Sequence, residues 1–365
     1  MRVLCICPIG LGNYLLTYPS YRLIREADKD AELHLLALRG AIVGLARHDP
    51  MWTKIHFLDP YQKGALGRTS AALRELAAAR FDASLSLFPS NNWQYNLLPY
   101  MCGVRRRFAF RYPLKQARSL AFLNTDLVDV DPEAHDVDQN LRLAARLMNV
   151  RAPVGPYKFP SLVTDKSAAD ARQFLAQNGG PQVYIGVHPG SSTEQGMGSK
   201  RWDPARFGEL ASRICDALQA RALIFGSADE EDIKQATARA MSAPCCVVAP
   251  TDLPMTEALL RCCSVMLAND SGIMHLAACA GVPTAAVFGP TDERRCAPVG
   301  TGNLVIRKAM EGFPLWGASN VGVRALKTGV DPQAPLKALS VDEAWAQMAP
   351  WLAHVKEGMS PARSA

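Results

Sequence analysis

Residues 151–165, RAPVGPYKFPSLVTD, hold three prolines and a glycine near the middle of a chain of 365. Proline fixes φ and offers no backbone donor, so this stretch cannot run inside a helix or a central strand. It divides the chain into halves that are each long enough to bury a core. Before it, RVLCIC (2–7) reads as a short apolar strand, followed by the loop PIGLGN and a helical pattern with Leu15, Leu16, Leu23 and Ile24 on one face. LHLLAL (33–38), KIHFL (54–58) and ASLSLF (83–88) continue the strands, with the helical SAALRELAAARF between the last two.

After the divider the rhythm restarts. A helix is expected near 167–178, a strand at VYIGVHPG (183–190) and a helix from Pro204 to about Ala220. ALIFGS, CCVVAP, SVMLAND and PTAAVFG then alternate with helical segments, and SVDEAWAQMAPWLAHVK (340–356) reads as a closing helix interrupted at Pro350. Strand and helix in alternation build a parallel sheet covered on both faces. The expected fold is therefore α/β, two Rossmann-like doubly wound domains facing a cleft. The expected limits are 1–155, 166–335 and a closing helix and tail at 336–365. In such folds ligands sit at the carboxyl ends of the strands.

Composition removes other classes. No charge-free run of 18 apolar residues exists, and the first strand meets a glycine loop too early for a signal peptide, so neither a membrane span nor secretion is expected. None of the ten cysteines forms a C-x-x-C pair, which argues against zinc and for small buried thiols in a reducing compartment. A net charge of +6 is too mild for a nucleic-acid coat but suits an anionic substrate or an anionic lipid surface.

Four loops carry candidate chemistry. Gly10-Leu11-Gly12-Asn13 leaves the first strand and opens a helix, where backbone amides can approach an anion or a sugar. A dinucleotide fingerprint would need a small residue where Leu15 stands and an acid near Leu38 and Arg39, so NAD is not expected. His188-Pro189-Gly190-Ser191-Ser192, followed by Lys200-Arg201-Trp202, sets small residues and cations before a helix that Asp203 can cap and Pro204 can open. Asn269-Asp270-Ser271-Gly272-Ile273-Met274-His275 places a helix start directly after a strand, a ready site for a diphosphate, with Asp270 as a candidate N-cap. Gly226-Ser227-Ala228-Asp229-Glu230 repeats the arrangement, with an acid able to accept from ribose hydroxyls, and Met255 opens a helix where it can cover a base or join the core.

Together these segments resemble the ADP-heptose:lipopolysaccharide heptosyltransferases, glycosyltransferase family nine, of GT-B fold. The likeness runs through RVLCICPIGLGNYLLTYPSYRLIRE, HDVDQNLRLAARL, HPGSS with KRW, and NDSGIMHLAACAGVPTAAVFGPTD. It implies that Lys200 contacts the donor diphosphate, that Ser271, Gly272 and His275 cradle it, and that Ser191 and Ser192 line the same site. It further implies Asp270 on the transferred sugar, Glu230 on the ribose and Met255 on the base. Gly10, Gly12 and position 13 would serve the acceptor. The family's catalytic base is an Asp directly after the glycine loop; here that place holds Asn13.

The implied reaction is an inverting transfer without metal or cofactor, from a nucleotide-sugar donor, ADP-heptose by resemblance, to a lipid-linked or phosphorylated glycan. Asn13 leaves three accounts of proton removal: another acid serves, the transition state is too loosely bonded to need one, or transfer is lost. Asp59 and His56 are candidate substitutes by location. The D-x-D strings Asp129/Asp131 and Asp136/Asp138 lie away from the phosphate loops, which argues against a divalent ion. Arg105, Arg106, Arg107 and Arg111, then Lys115 and Arg118, alternate with Phe108, Phe110 and Tyr112. They fit acceptor phosphates or the anionic inner face of the bacterial inner membrane, giving a cytoplasmic protein with peripheral membrane contact and no nucleic-acid role. The competing readings are a GT-B-like sugar-nucleotide epimerase and a non-catalytic sugar-nucleotide-binding protein.

Overall fold

The computed structural model describes residues 1–7, 10–38, 40–47, 49–58, 65–112, 119–180, 182–300, 302–317 and 329–358. Asp59, Lys115 and Arg118 fall outside these residues. The chain forms two compact units, Met1–Pro160 and Ser161–Ala365, divided within the proline-rich segment.

The first unit is built on six strands, β1 (Arg2–Cys7), β2 (Glu32–Ala37), β3 (Lys54–Phe57), β4 (Ala83–Ser86), β5 (Arg106–Arg111) and β6 (Asp126–Asp129). Their order is β3-β2-β1-β4-β5-β6, and every pairing is parallel. The second unit repeats the plan with β7 (Tyr184–His188), β8 (Arg221–Ile224), β9 (Cys245–Val247), β10 (Cys263–Asn269), β11 (Thr284–Phe288) and β12 (Leu304–Arg307). Its order, β12-β11-β10-β7-β8-β9, is the same topology, again all parallel. Each sheet therefore reverses its direction of growth beside its first strand, between β1 and β4 and between β7 and β10. That reversal opens a crevice at the carboxyl ends of the two central strands.

The apolar runs form these strands because a sheet covered on both faces buries every residue of a central strand. Val3 to Cys7 are all fully buried. The core of the second unit gathers Ile185, Val187, Phe207, Leu210, Ile214 and Val265, each worth about 1.5–3 kcal/mol on burial. Helix Pro204–Leu218 starts as its sequence requires, with the Asp203 carboxylate accepting from the amides of Ala205 and Arg206. The closing helix corrects one expectation, since Val341–Gly358 runs unbroken through Pro350. Proline removes one hydrogen bond there, but Ala344, Met348 and Leu352 are buried in the core and hold the helix on both sides of it.

β5, β6 and β12 were not expected as strands. β5 reads as a basic cluster in sequence, yet Phe108, Ala109 and Phe110 are buried in the sheet between arginine-bearing ends. No helix among the described residues is long and apolar enough to cross a membrane.

Candidate active site

Ala268 of β10 pairs with His188 of β7, so the chain leaves both strands at one level of the crevice in the second unit. Asn269 ties the two exits together: its Oδ1 accepts from the Trp202 amide at 3.0 Å and its Nδ2 donates to the Pro189 carbonyl at 2.6 Å. The loop carrying Lys200 is thereby fixed beside the loop carrying Asp270.

Helix Gly272–Cys279 begins here, and its N-cap is Ser271, whose Oγ accepts from the Met274 amide at 3.3 Å. The expectation of Asp270 as the cap is corrected. Asp270 is drawn instead to Lys200, with Nζ and Oδ2 2.7 Å apart, and both groups are largely withdrawn from solvent. Burial presses the Lys200 ammonium toward neutrality, but the Asp270 charge outweighs it and raises the Lys200 pKa above its ordinary value. The converse holds for Asp270: burial pushes its pKa up, yet Lys200, with His275 and Thr291 behind, keeps it below the usual carboxylate range. The pair is a fixed cation and a fixed acceptor beside free helix amides, suited to an anion joined to a hydroxylated group.

A second buried network stands alongside. Glu230 receives Arg201 Nη2 at 3.1 Å on Oε1, while its Oε2 meets His188 Nε2 at 3.4 Å and the Ser227 amide at 3.0 Å. His188 Nδ1 lies 3.0 Å from Ser271 Oγ, so the network ends on the N-cap of helix Gly272–Cys279. Burial opposes ionisation of Glu230, but the hydrogen bond and charge of His188, the Ser227 amide and Arg201 together lower its pKa to about 2. Gly190 leaves room for this carboxylate: a Cβ there would meet Glu230 Oε1 at 2.1 Å.

The sign of the pH effect follows. A carboxyl group with a depressed folded pKa stabilises above its unfolded value and loses that contribution as pH falls through the folded one. For Glu230 the window runs from 4.5 down to about 2, and the loss amounts to about 3 kcal/mol. Urea midpoints measured across this window fall more steeply for the wild type than for Glu230→Gln.

The other expected donor residues divide. Ser191 is buried, its carbonyl held by Arg201 Nε at 3.0 Å, whereas Ser192 is exposed. His275 is buried in the first helical turn, and Met255 is half-buried in the first turn of helix Leu253–Arg261. In the first unit, Gly10, Gly12 and Asn13 stand at the carboxyl end of β1, where helix Leu11–Ala27 begins. Arg105, Arg106 and Arg107 are not brought beside them. They lie at the amino end of β5, and Arg107 spends its guanidinium on the carbonyls of Leu123 and Val104 and on the face of Tyr100.

His56 is engaged by other side chains. Its Nε2 lies 3.0 Å from His34 Nδ1 and its Nδ1 3.4 Å from Glu75, and burial lowers its pKa. The aspartates of the D-x-D strings are committed elsewhere: Asp129 to Arg111, Asp131 to Arg142 and the Glu133 amide, and Asp138 to Tyr157, while Asp136 is buried in the first turn of helix Asp136–Met148. His188, Arg201 and Asn269 stand inside the recognised motifs, but their organising roles were not legible there, because the partners that define them lie far along the chain.

A family model described as glycosyltransferase family 9 (heptosyltransferase) matches residues 70–314. Lipopolysaccharide heptosyltransferase 2 of Escherichia coli (strain K12) is 26% identical over 321 residues, covering 84% of this chain and 88% of that protein. Among solved structures, the E. coli ADP-heptose LPS heptosyltransferase II matches with TM-score 0.71 at 19% identity, covering 98% of this chain and all of that one. The family 9 glycosyl transferase of Veillonella parvula DSM 2008 matches with TM-score 0.75 at 18% identity over 97% of each chain. Two parallel six-stranded sheets, matched over nearly their whole length by those structures, give the molecule a GT-B-like fold. More particularly, the chain belongs to glycosyltransferase family 9, the heptosyltransferases.

Proposed function

We propose that the second unit binds a nucleoside diphosphate sugar, ADP-heptose by analogy with the relatives, and that the protein transfers the sugar with inversion to a lipopolysaccharide acceptor. The observation that carries this reading is the Lys200–Asp270 pair beside the start of helix Gly272–Cys279, at the point where its sheet reverses. Lys200 and the amides of Gly272 and Ile273 stabilise charge gathering on the departing diphosphate, His275 supports it, and Asp270 holds the sugar. Ser191 and Ser192 border the phosphates, Glu230 receives the ribose and Met255 covers the base. Gly10, Gly12 and Asn13 hold the acceptor.

The exposed Arg105 and Arg106, with the exposed Tyr100, Met101 and Phe122, serve peripheral contact with an anionic inner leaflet rather than the reaction itself. Each arginine near such a surface contributes about 1 kcal/mol. A thermal-shift panel of ADP-, GDP-, UDP- and dTDP-sugars tests the donor assignment. The ADP-sugar stabilises the protein by about 2.7 kcal/mol at a hundredfold excess over its Kd. A panel in which none of the four shifts the melting temperature overturns it.

A further inference from the structure

Buried polar groups are nearly always hydrogen-bonded, so a group left without a partner calls for an explanation. Beside Lys200 and Asp270, on the chain that follows β11, stand two such groups. Trp316 is 4% exposed and Thr291 6%, and neither the indole Nε1 nor the Thr291 Oγ1 completes a hydrogen bond of ordinary geometry with any described residue. Both positions are fixed by backbone. Thr291 and Trp316 form a parallel bridge, the amides of Leu315 and Trp316 both donate to the Pro290 carbonyl at 2.9 Å, and the Asp292 amide donates to the Trp316 carbonyl at 3.2 Å. Lys200 Nζ stands 5.9 Å from the centre of the Trp316 ring. Thr291 lies close enough to Asp270 to help keep it ionised.

We infer that Trp316 and Thr291 complete the subsite for the transferred sugar and select for it. The inference rests on the proposed donor site. An indole N–H only donates, an ionised carboxylate only accepts, and a threonine hydroxyl does either. Trp316, Asp270 and Thr291 thus offer one donor, one acceptor and one group of both kinds within a small region, which matches the hydroxyls of a polyol. A bare phosphate is a poor match, because it would face the Asp270 carboxylate. Lys200 keeps part of its side chain exposed while standing 5.9 Å from the ring centre, so a diphosphate drawn to the ammonium carries its attached sugar toward Trp316. A partner of this kind also accounts for a donor left unpaired in the free protein, since its bond forms only when the sugar arrives.

The test compares ADP with ADP-heptose by isothermal titration on the wild type, Trp316→Phe and Thr291→Val. Phe keeps an aromatic ring under Lys200 and removes the N–H; Val keeps the branched shape and removes the hydroxyl. Both variants are expected to bind ADP as the wild type does and to bind ADP-heptose about tenfold more weakly. The melting temperature of Trp316→Phe without ligand is expected to be no lower than that of the wild type, because the indole N–H bonds to no described residue there; a structural role would lower it. Wild-type affinity of both variants for ADP-heptose overturns the inference. So does an equal loss for ADP and ADP-heptose, which marks a general defect. Failure of the wild type to bind either ligand is a different result and overturns the donor assignment itself.

Discussion

Lys200→Met lowers kcat by about 10² to 10³, the effect of removing one fixed charge from a developing anion in a water-poor site. Lys200 is the cation proposed to meet the leaving group, and Asp270 holds it at 2.7 Å with its ammonium kept charged. The substitution has a second consequence. It leaves the Asp270 carboxylate buried opposite a thioether, and breaking a buried pair from one side costs about 3–5 kcal/mol. Rate and stability separate in the double variant. Adding Asp270→Asn replaces the stranded charge by a neutral amide and recovers most of the melting temperature, while kcat stays low. Release of nucleoside diphosphate followed with a coupled enzyme, together with thermal denaturation, reads both quantities. A single variant with wild-type kcat would remove Lys200 from the chemistry.

Asn13→Asp raises kcat by about 10², at the lower end of what a positioned general base supplies. Asn13 is in the first turn of helix Leu11–Ala27, whose N-cap Gly10 provides no side-chain bond and whose first turn holds no acid. A carboxylate introduced there is favoured by the helix dipole and stays ionised at neutral pH, so it can take the acceptor's proton. An amide at the same place can orient the hydroxyl but cannot take the proton. In the proposed reaction the native protein works by positioning and by stabilising the leaving group, with proton removal as its weak step. Single-turnover kinetics at saturating donor measure the change directly. An unchanged kcat would show that proton removal does not limit the reaction.

The parts of this architecture that were readable in sequence are those whose cause is local. Asp203 followed by Pro204 starts a helix wherever it occurs in such a context, and SVMLAND running into GIMHLAACAG marks a strand, a turn and a helix. Local cause failed where two residues competed for one role. Asp270 and Ser271 are both good N-caps, and the choice was made by Lys200, distant in sequence, which takes the aspartate for an ion pair. β5 was hidden for a related reason, because its flanking arginines mask a buried Phe-Ala-Phe centre. The Glu230–His188–Ser271 network, and Trp316 beside Lys200, bring together residues from separate crossover units. Such meetings follow from sheet order, which no local pattern encodes.

The central claim is sugar transfer, and ADP release from ADP-heptose measured with and without a heptose-free lipopolysaccharide acceptor tests it most directly. The account predicts release only when acceptor is present, matched by the mass of one added heptose on the acceptor. Equal release without acceptor, and no mass gained by the acceptor when it is supplied, would contradict it.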